Sequence, residues 1–122
     1  MKKRALIIED DKDTSDMLEF LANQLNLEVI SSHRTLLVPD LKLLAPDIII
    51  LDHWVGSDLG GDLCHKLKSK ESTKDIPVIL ISAALNLDKI AEECSADACL
   101  KKPFDIDDIM GLVTDLLYKK MA

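Results

Sequence analysis

Three features of the chain predict a doubly wound α/β fold built on a parallel sheet. Short apolar runs alternate five times with segments whose apolar residues recur at helical spacing. The central run, Ile48-Ile49-Ile50-Leu51, is apolar at every position, which suits a strand covered by helices on both faces. Polar groups follow four of the runs: Glu9-Asp10, Asp52, Ser82 and Lys102. In a parallel sheet all four project from one edge, where open α/β sheets place their ligand sites.

The first strand is Ala5-Leu6-Ile7-Ile8, followed at once by Glu9-Asp10-Asp11. Asp13 and Thr14 then offer N-caps to a helix with Met17, Leu18, Leu21 and Leu25 on one stripe. Leu27 to Ser31 is the second strand. From Ser32 to Ala45 the pattern weakens. Asp40 to Leu44 looks helical, but Pro39 forbids a regular helix running through from Thr35, so the second helix starts late or is broken. The central strand ends at Asp52, and a loop rich in Gly and Asp runs from His53 to Gly61. The next helix turns Leu63, Cys64 and Leu67 inward and carries Lys66, Lys68 and Lys70 on its polar side.

Glu71 to Asp75 is a polar connector, and Pro77 to Ser82 is the fourth strand. Leu87, Ile90, Ala91 and Cys94 fall on one face of an amphipathic helix. Ala98-Cys99-Leu100 is a short fifth strand ending at Lys101-Lys102-Pro103-Phe104. Asp105 caps the last helix, whose stripe is Ile106, Ile109, Met110, Val113 and Leu116. Lys119 and Lys120 suit the negative end of its dipole. Residues 1–122 are expected to form one domain.

Composition narrows the function. Apolar residues make up 48% and charged residues 30% of the 122, a normal globular balance, with an aliphatic core implied by only 3% aromatics. There is no apolar run of about 18 residues to span a membrane, and the apolar run after Met1-Lys2-Lys3-Arg4 is too short for a signal peptide. A cytoplasmic protein is expected. With 15 Lys and Arg against 22 Asp and Glu, the net charge of −7 argues against nucleic-acid binding. Cys64, Cys94 and Cys99 lack paired spacing and read as reduced, buried thiols. His33, His53 and His65 show no zinc pattern.

Singly, each strand-end residue has a plain role: Asp52 a turn or helix cap, Ser82 a cap, Lys102 a solvated charge. Jointly they favour chemistry. Three carboxylates converging on one edge repel unless a cation sits among them, and hard oxygen ligands at so few positions favour Mg²⁺. A hydroxyl and an ammonium beside it can hold phosphoryl oxygens.

These residues resemble the receiver domain of two-component response regulators across essentially the whole chain. The matches are Ile7-Ile8-Glu9-Asp10-Asp11, Ile50-Leu51-Asp52, Ile81-Ser82-Ala83 and Lys102-Pro103-Phe104, in order, with Gly60 eight residues beyond Asp52. The resemblance implies a five-stranded, flavodoxin-like sheet of order 2-1-3-4-5. It implies a stand-alone phosphoacceptor switch without an output domain, in which Asp52 takes a phosphoryl group from a phosphohistidine on a sensor histidine kinase or phosphotransfer protein. Mg²⁺ would be held by Asp10, by Glu9 mainly through water, by Asp52 and by the carbonyl of Trp54. Ser82, Lys102 and the backbone N–H of Ala83 would contact the phosphoryl oxygens. A cis Lys102–Pro103 peptide is implied, with Lys101 pointing away. An output face of Leu87, Lys101, Asp107, Asp108 and Gly111 is implied, on a monomer or weak dimer.

Three residues depart from the family's pattern. Cys99 stands where an aromatic ring usually swings inward on activation, which puts that coupling in doubt. Gly56 stands where proline is common, implying a more mobile loop. Trp54, two residues beyond Asp52, is bulky beside the site, whereas Ala84, two beyond Ser82, is small; the indole either shields an acyl phosphate from water or packs over the loop with no kinetic role. Two other readings compete. A non-phosphorylated interaction module has the same fold, and a flavodoxin-like cofactor binder would need a phosphate loop where Glu9-Asp10-Asp11 stands. A haloacid-dehalogenase-type phosphatase would need a second acid where Trp54 stands.

Overall fold

The structure, a computed structural model, describes residues 2–118. In chain order the elements are β1 (Arg4–Ile8), α1 (Lys12–Gln24), β2 (Glu28–Ser32), α2 (Val38–Leu44) and β3 (Ile48–Asp52). A two-stranded hairpin follows, β4 (Trp54–Val55) and β5 (Asp58–Leu59). The chain continues through α3 (Gly60–Lys68), β6 (Val78–Ser82), α4 (Leu87–Cys94), β7 (Ala98–Lys101) and α5 (Ile106–Tyr118).

The five long strands form one parallel sheet of order β2-β1-β3-β6-β7, the expected 2-1-3-4-5 of the long strands. Alternation along each strand splits the interior into two cores. Leu6, Ile8, Ile49, Leu51, Val78 and Leu80 face α2, α3 and α4. Ala5, Ile7, Ile48, Ile50, Ile79 and Ile81 face α1 and α5. All five residues of β3 are buried, so its apolar run is explained by two-sided covering. Each fully buried aliphatic side chain contributes roughly 1.5–3 kcal/mol. Among the described residues no helix is long and apolar enough to cross a membrane.

Several local expectations are corrected. Helix α1 is capped by Asp11, not by Asp13 or Thr14. The Asp11 carboxylate accepts the Thr14 N–H at 2.9 Å and its hydroxyl at 2.7 Å, so the helix starts earlier, at Lys12. The late start of the second helix is observed, with Pro39 in the first turn, where its missing N–H costs nothing. The loop after Asp52 contains the β4–β5 hairpin, and α3 begins at Gly60. Leu87 is only 3% exposed and belongs to the core, not to an output face; Lys101, Asp107, Asp108 and Gly111 are exposed. In α5 the buried positions are Ile109, Val113 and Leu117, with Met110 and Leu116 packed against them as expected, while Ile106, its first residue, is exposed. Asp105 caps α5 through its backbone carbonyl, which accepts the Asp108 N–H, and the Asp108 carboxylate accepts the Asp105 N–H in return. Lys119 and Lys120 lie outside the described residues.

Lys68 also departs from the polar face assigned to it. Its side chain is 9% exposed, and the ammonium donates to the carbonyls of Lys74 at 3.0 Å and Ile76 at 2.7 Å. It pairs with Asp97 at 2.6 Å, and the same Asp97 oxygen accepts the Val78 N–H at 2.7 Å. This clasp secures the start of β6, at the sheet edge opposite Asp52. Asp97→Ala strands a largely buried ammonium and an amide, and should cost about 2 kcal/mol in urea unfolding. A loss below about 0.5 kcal/mol, the range of an exposed pair, would contradict the clasp.

Candidate functional site

The parallel sheet delivers the ends of β1, β3, β6 and β7 to one edge. Glu9 and Asp10 leave β1, Asp52 ends β3, Ser82 ends β6, and Lys102 follows β7. Carboxylate oxygens of Glu9, Asp10 and Asp52 lie within 4.8 Å of one another. At that separation each pair of like charges repels by about 3 kcal/mol for an effective dielectric near 20. Lys102 supplies the opposing charge, its Nζ lying 2.9 Å from Glu9 Oε1 and 3.1 Å from Asp52 Oδ2. The Lys102–Pro103 peptide is cis, and Lys101 is exposed.

Burial differs sharply across the cluster. Glu9 is fully buried and Asp52 is 5% exposed, whereas Asp10 faces solvent. Burial pushes the Glu9 carboxyl up to about 7, and contact with the Asp52 carboxylate pushes the same way, against the pull of Lys102. Burial opposes the Lys102 charge too, but its bonds to Glu9 and Asp52 prevail and hold the ammonium above the usual lysine range.

The loops are tied to the acids. The Trp54 N–H donates to Asp52 Oδ1 at 3.2 Å, the Gly56 N–H to Asp10 Oδ2 at 2.7 Å, and the Asp11 N–H to Glu9 Oε2 at 3.2 Å. Gly56, at φ +61°, adopts a left-handed turn that suits glycine, and the bond to Asp10 tethers a loop for which mobility was expected. Gly60 leaves room for the end of β3, because a Cβ there would collide with the Asp52 carbonyl. His53 is buried and accepts the Gly61 N–H at Nδ1, fixing the start of α3. The indole of Trp54 is 55% exposed and stands edge-on to His53. Ser82 is fully buried, and its Oγ accepts the Ala84 N–H at 3.1 Å. Ala83 and Lys102 border a cavity of about 390 Å³ with Thr14, Met17, Pro103 and Phe104.

Asp11 and the backbone of Gly56 are the contributors that sequence reasoning missed. Asp11 had a readable signal, an aspartate three residues before Thr14 at the head of a helix. Gly56 had none, since its bond to Asp10 spans 46 residues. Cys99, at the usual aromatic position, is half-buried and directs its thiol to Asp88 Oδ1 at 3.4 Å.

The donor set fits a hard divalent cation. Three carboxylates against one ammonium leave two uncompensated negative charges, with an exposed face at Asp10 for entry. Without such a cation, the folded protein holds a Glu9 proton that the unfolded chain releases near 4.5. Its stabilising effect is full below about 4.5 and is lost as pH rises through about 7, a change on the order of 3 kcal/mol. In chelator, the stability of wild type relative to Glu9→Gln should therefore fall across that window in urea titrations. A difference independent of pH would contradict the raised Glu9 pKa.

A profile of the response regulator receiver domain matches residues 5–114. The chain is 34% identical, over 93% of its length, to the DNA-binding dual master transcriptional regulator RpaA of Synechocystis, covering 48% of that protein. It thus spans about half the length of the curated relatives it matches. The signal receiver domain of a DNA-binding response regulator from Colwellia psychrerythraea superposes with a TM-score of 0.83 at 30% identity, covering 94% of this chain and 98% of that one. A putative response regulator from Chloroflexus aurantiacus shares the fold at a TM-score of 0.85 and 23% identity, covering 96% of this chain and 98% of that one. Strand order, edge chemistry and these matches agree, and the chain belongs to the response regulator receiver domain family.

Proposed function

We propose that the chain is a phosphoacceptor switch of a two-component system, with residues 1–122 as a single receiver domain. Asp52 takes a phosphoryl group from a phosphohistidine on a sensor histidine kinase or phosphotransfer protein. One observation carries the reading: a nearly buried aspartate lies at the end of the central strand, paired with Lys102 at 3.1 Å and clustered with two further acids. Glu9, Asp10 and Asp52 are the side chains that would hold Mg²⁺, together with the Trp54 carbonyl. When bound, Mg²⁺ neutralises charge on the transferring phosphoryl oxygens.

The chain's own groups do the positioning. An Asp52 carboxylate oxygen is the nucleophile, and the Trp54 N–H orients the carboxylate from the other side. Lys102, with three donors on a flexible stem, moves from bridging carboxylates to contacting a phosphoryl oxygen. Ser82 accepts from Ala84, which leaves its hydroxyl proton free to donate to phosphate, beside the Ala83 N–H. Such positioning and charge neutralisation are what phosphoryl transfer demands. The product is an acyl phosphate whose formation and hydrolysis the domain promotes on itself. Its consequence is an altered surface presented to another protein, or onward transfer in a relay.

The test is intact-protein mass after incubation with acetyl phosphate, with and without Mg²⁺, for wild type and Asp52→Ala. One added phosphoryl group that needs both Mg²⁺ and Asp52 is expected. Absence of the adduct in a rapid-quench series would favour a non-phosphorylated interaction module, the reading that Cys99 in place of the aromatic ring supports. In the same series a shorter phosphoryl lifetime for Trp54→Ala would assign the indole a shielding role, and an unchanged one would leave it packing over the loop.

A further inference from the structure

Two cysteines away from the acidic site come together where α3 packs on α4. Cys64, on the inward face of α3, donates to the backbone carbonyl of Cys94, the last residue of α4, at 3.4 Å. The Cys94 thiol in turn reaches the Ala91 carbonyl at 3.6 Å. Cys64 is fully buried and Cys94 is 4% exposed, so packing alone accounts for two small apolar residues here. A second feature goes beyond packing. Cys94 borders a cavity of about 420 Å³ whose other walls include His53 and the exposed His65 and Glu93, so the Cys94 residue lies beside a space that small molecules can enter. Cys99 stands apart, its thiol directed at Asp88.

We infer that Cys64 and Cys94 form a reversible dithiol–disulfide pair across α3 and α4, with a hydroperoxide as oxidant. The two thiols have unequal characters. Interaction with Cys64 lowers the Cys94 thiol below its usual range, while interaction with Cys94 and burial push the Cys64 thiol up. Cys94, on the cavity, is therefore the attacking group and Cys64 the resolving one.

The Cys94 thiolate takes the terminal OH of the hydroperoxide, breaking the O–O bond, and the alkoxide that leaves takes up the proton the thiol had released, departing as an alcohol, or as water from hydrogen peroxide. The Cys64 sulfur then attacks the Cys94 sulfenic sulfur. Its thiol proton departs with the hydroxyl as water, and the S–S bond forms. Two electrons pass from the two sulfurs to the peroxide, and a dithiol reductant returns them. Forming the bond requires the Cys94 thiol to leave the Ala91 carbonyl. The bridge joins positions 30 residues apart. It ties the helix seated on the Asp52 carbonyl through Gly60 to the helix that follows Ser82.

The test exposes the folded protein to hydrogen peroxide, then counts free thiols after denaturation and maps the peptides. The expected result is a fall from three free thiols to one. A Cys64–Cys94 linked peptide should appear in a monomer lighter by two hydrogens, reversed by a dithiol. Cys99→Ser should form the same link, and Cys94→Ala should not. If Cys94→Ala does not fold, the wild-type peptide map decides alone. Retention of all three thiols, a link through Cys99 or to a second chain, or an unpaired sulfinic acid at Cys94 would overturn the inference.

Discussion

One ammonium holds the acidic edge together. Lys102 bridges Glu9 and Asp52 across 93 and 50 residues of sequence, joining the end of β7 to the ends of β1 and β3. Without it, a fully buried glutamate and a nearly buried aspartate would face each other uncompensated, a cost of several kcal/mol. Even with it the balance is incomplete, and burial holds a proton on Glu9 up to about pH 7. The folded state therefore carries an electrostatic deficit at the place where chemistry is proposed. A divalent cation, displacing that proton, is the natural remedy.

The rest of the fold makes this deficit tolerable. Two aliphatic cores, one on each face of the sheet, supply stability far from the charges. The clasp of Lys68 and Asp97 secures the opposite sheet edge. Near the site the backbone carries much of the positioning, through the N–H groups of Trp54, Gly56 and Asp11. Backbone donors are set by the hairpin and helix that contain them, so the carboxylates are oriented before any ligand arrives. Gly60 permits the tight seating of α3 against the Asp52 carbonyl.

Much of this was legible in the sequence because it follows from one-dimensional periodicity. The run from Ile48 to Leu51 could be a strand covered on both faces, and the acids, hydroxyl and lysine follow strands that a parallel sheet aligns. What was not legible depends on which side chain turns where. Lys68 looks like a surface lysine until the connector and Asp97 fold over it. Leu87 starts α4 on the buried side, and nothing in its spacing separates that from an exposed face. The cap of α1 shifted from Asp13 or Thr14 to Asp11 because the Asp11 carboxylate is the one that reaches the Thr14 N–H. The raised Glu9 pKa and the meeting of Cys64 with Cys94 are tertiary facts, created by burial and by helices packed at a distance in sequence.

The claim on which the account rests is that Glu9, Asp10 and Asp52 together constitute a divalent-cation site. Trp54 is the sole tryptophan, and its backbone N–H bonds Asp52, so its indole is a fluorescent probe carried by the loop that is tied to the cluster. Mg²⁺ should change that fluorescence with one-to-one saturation in wild type. The response should be lost in Asp10→Ala, whose exposed position spares the core. A wild-type response that is absent, or that Asp10→Ala retains at full affinity, would contradict the account.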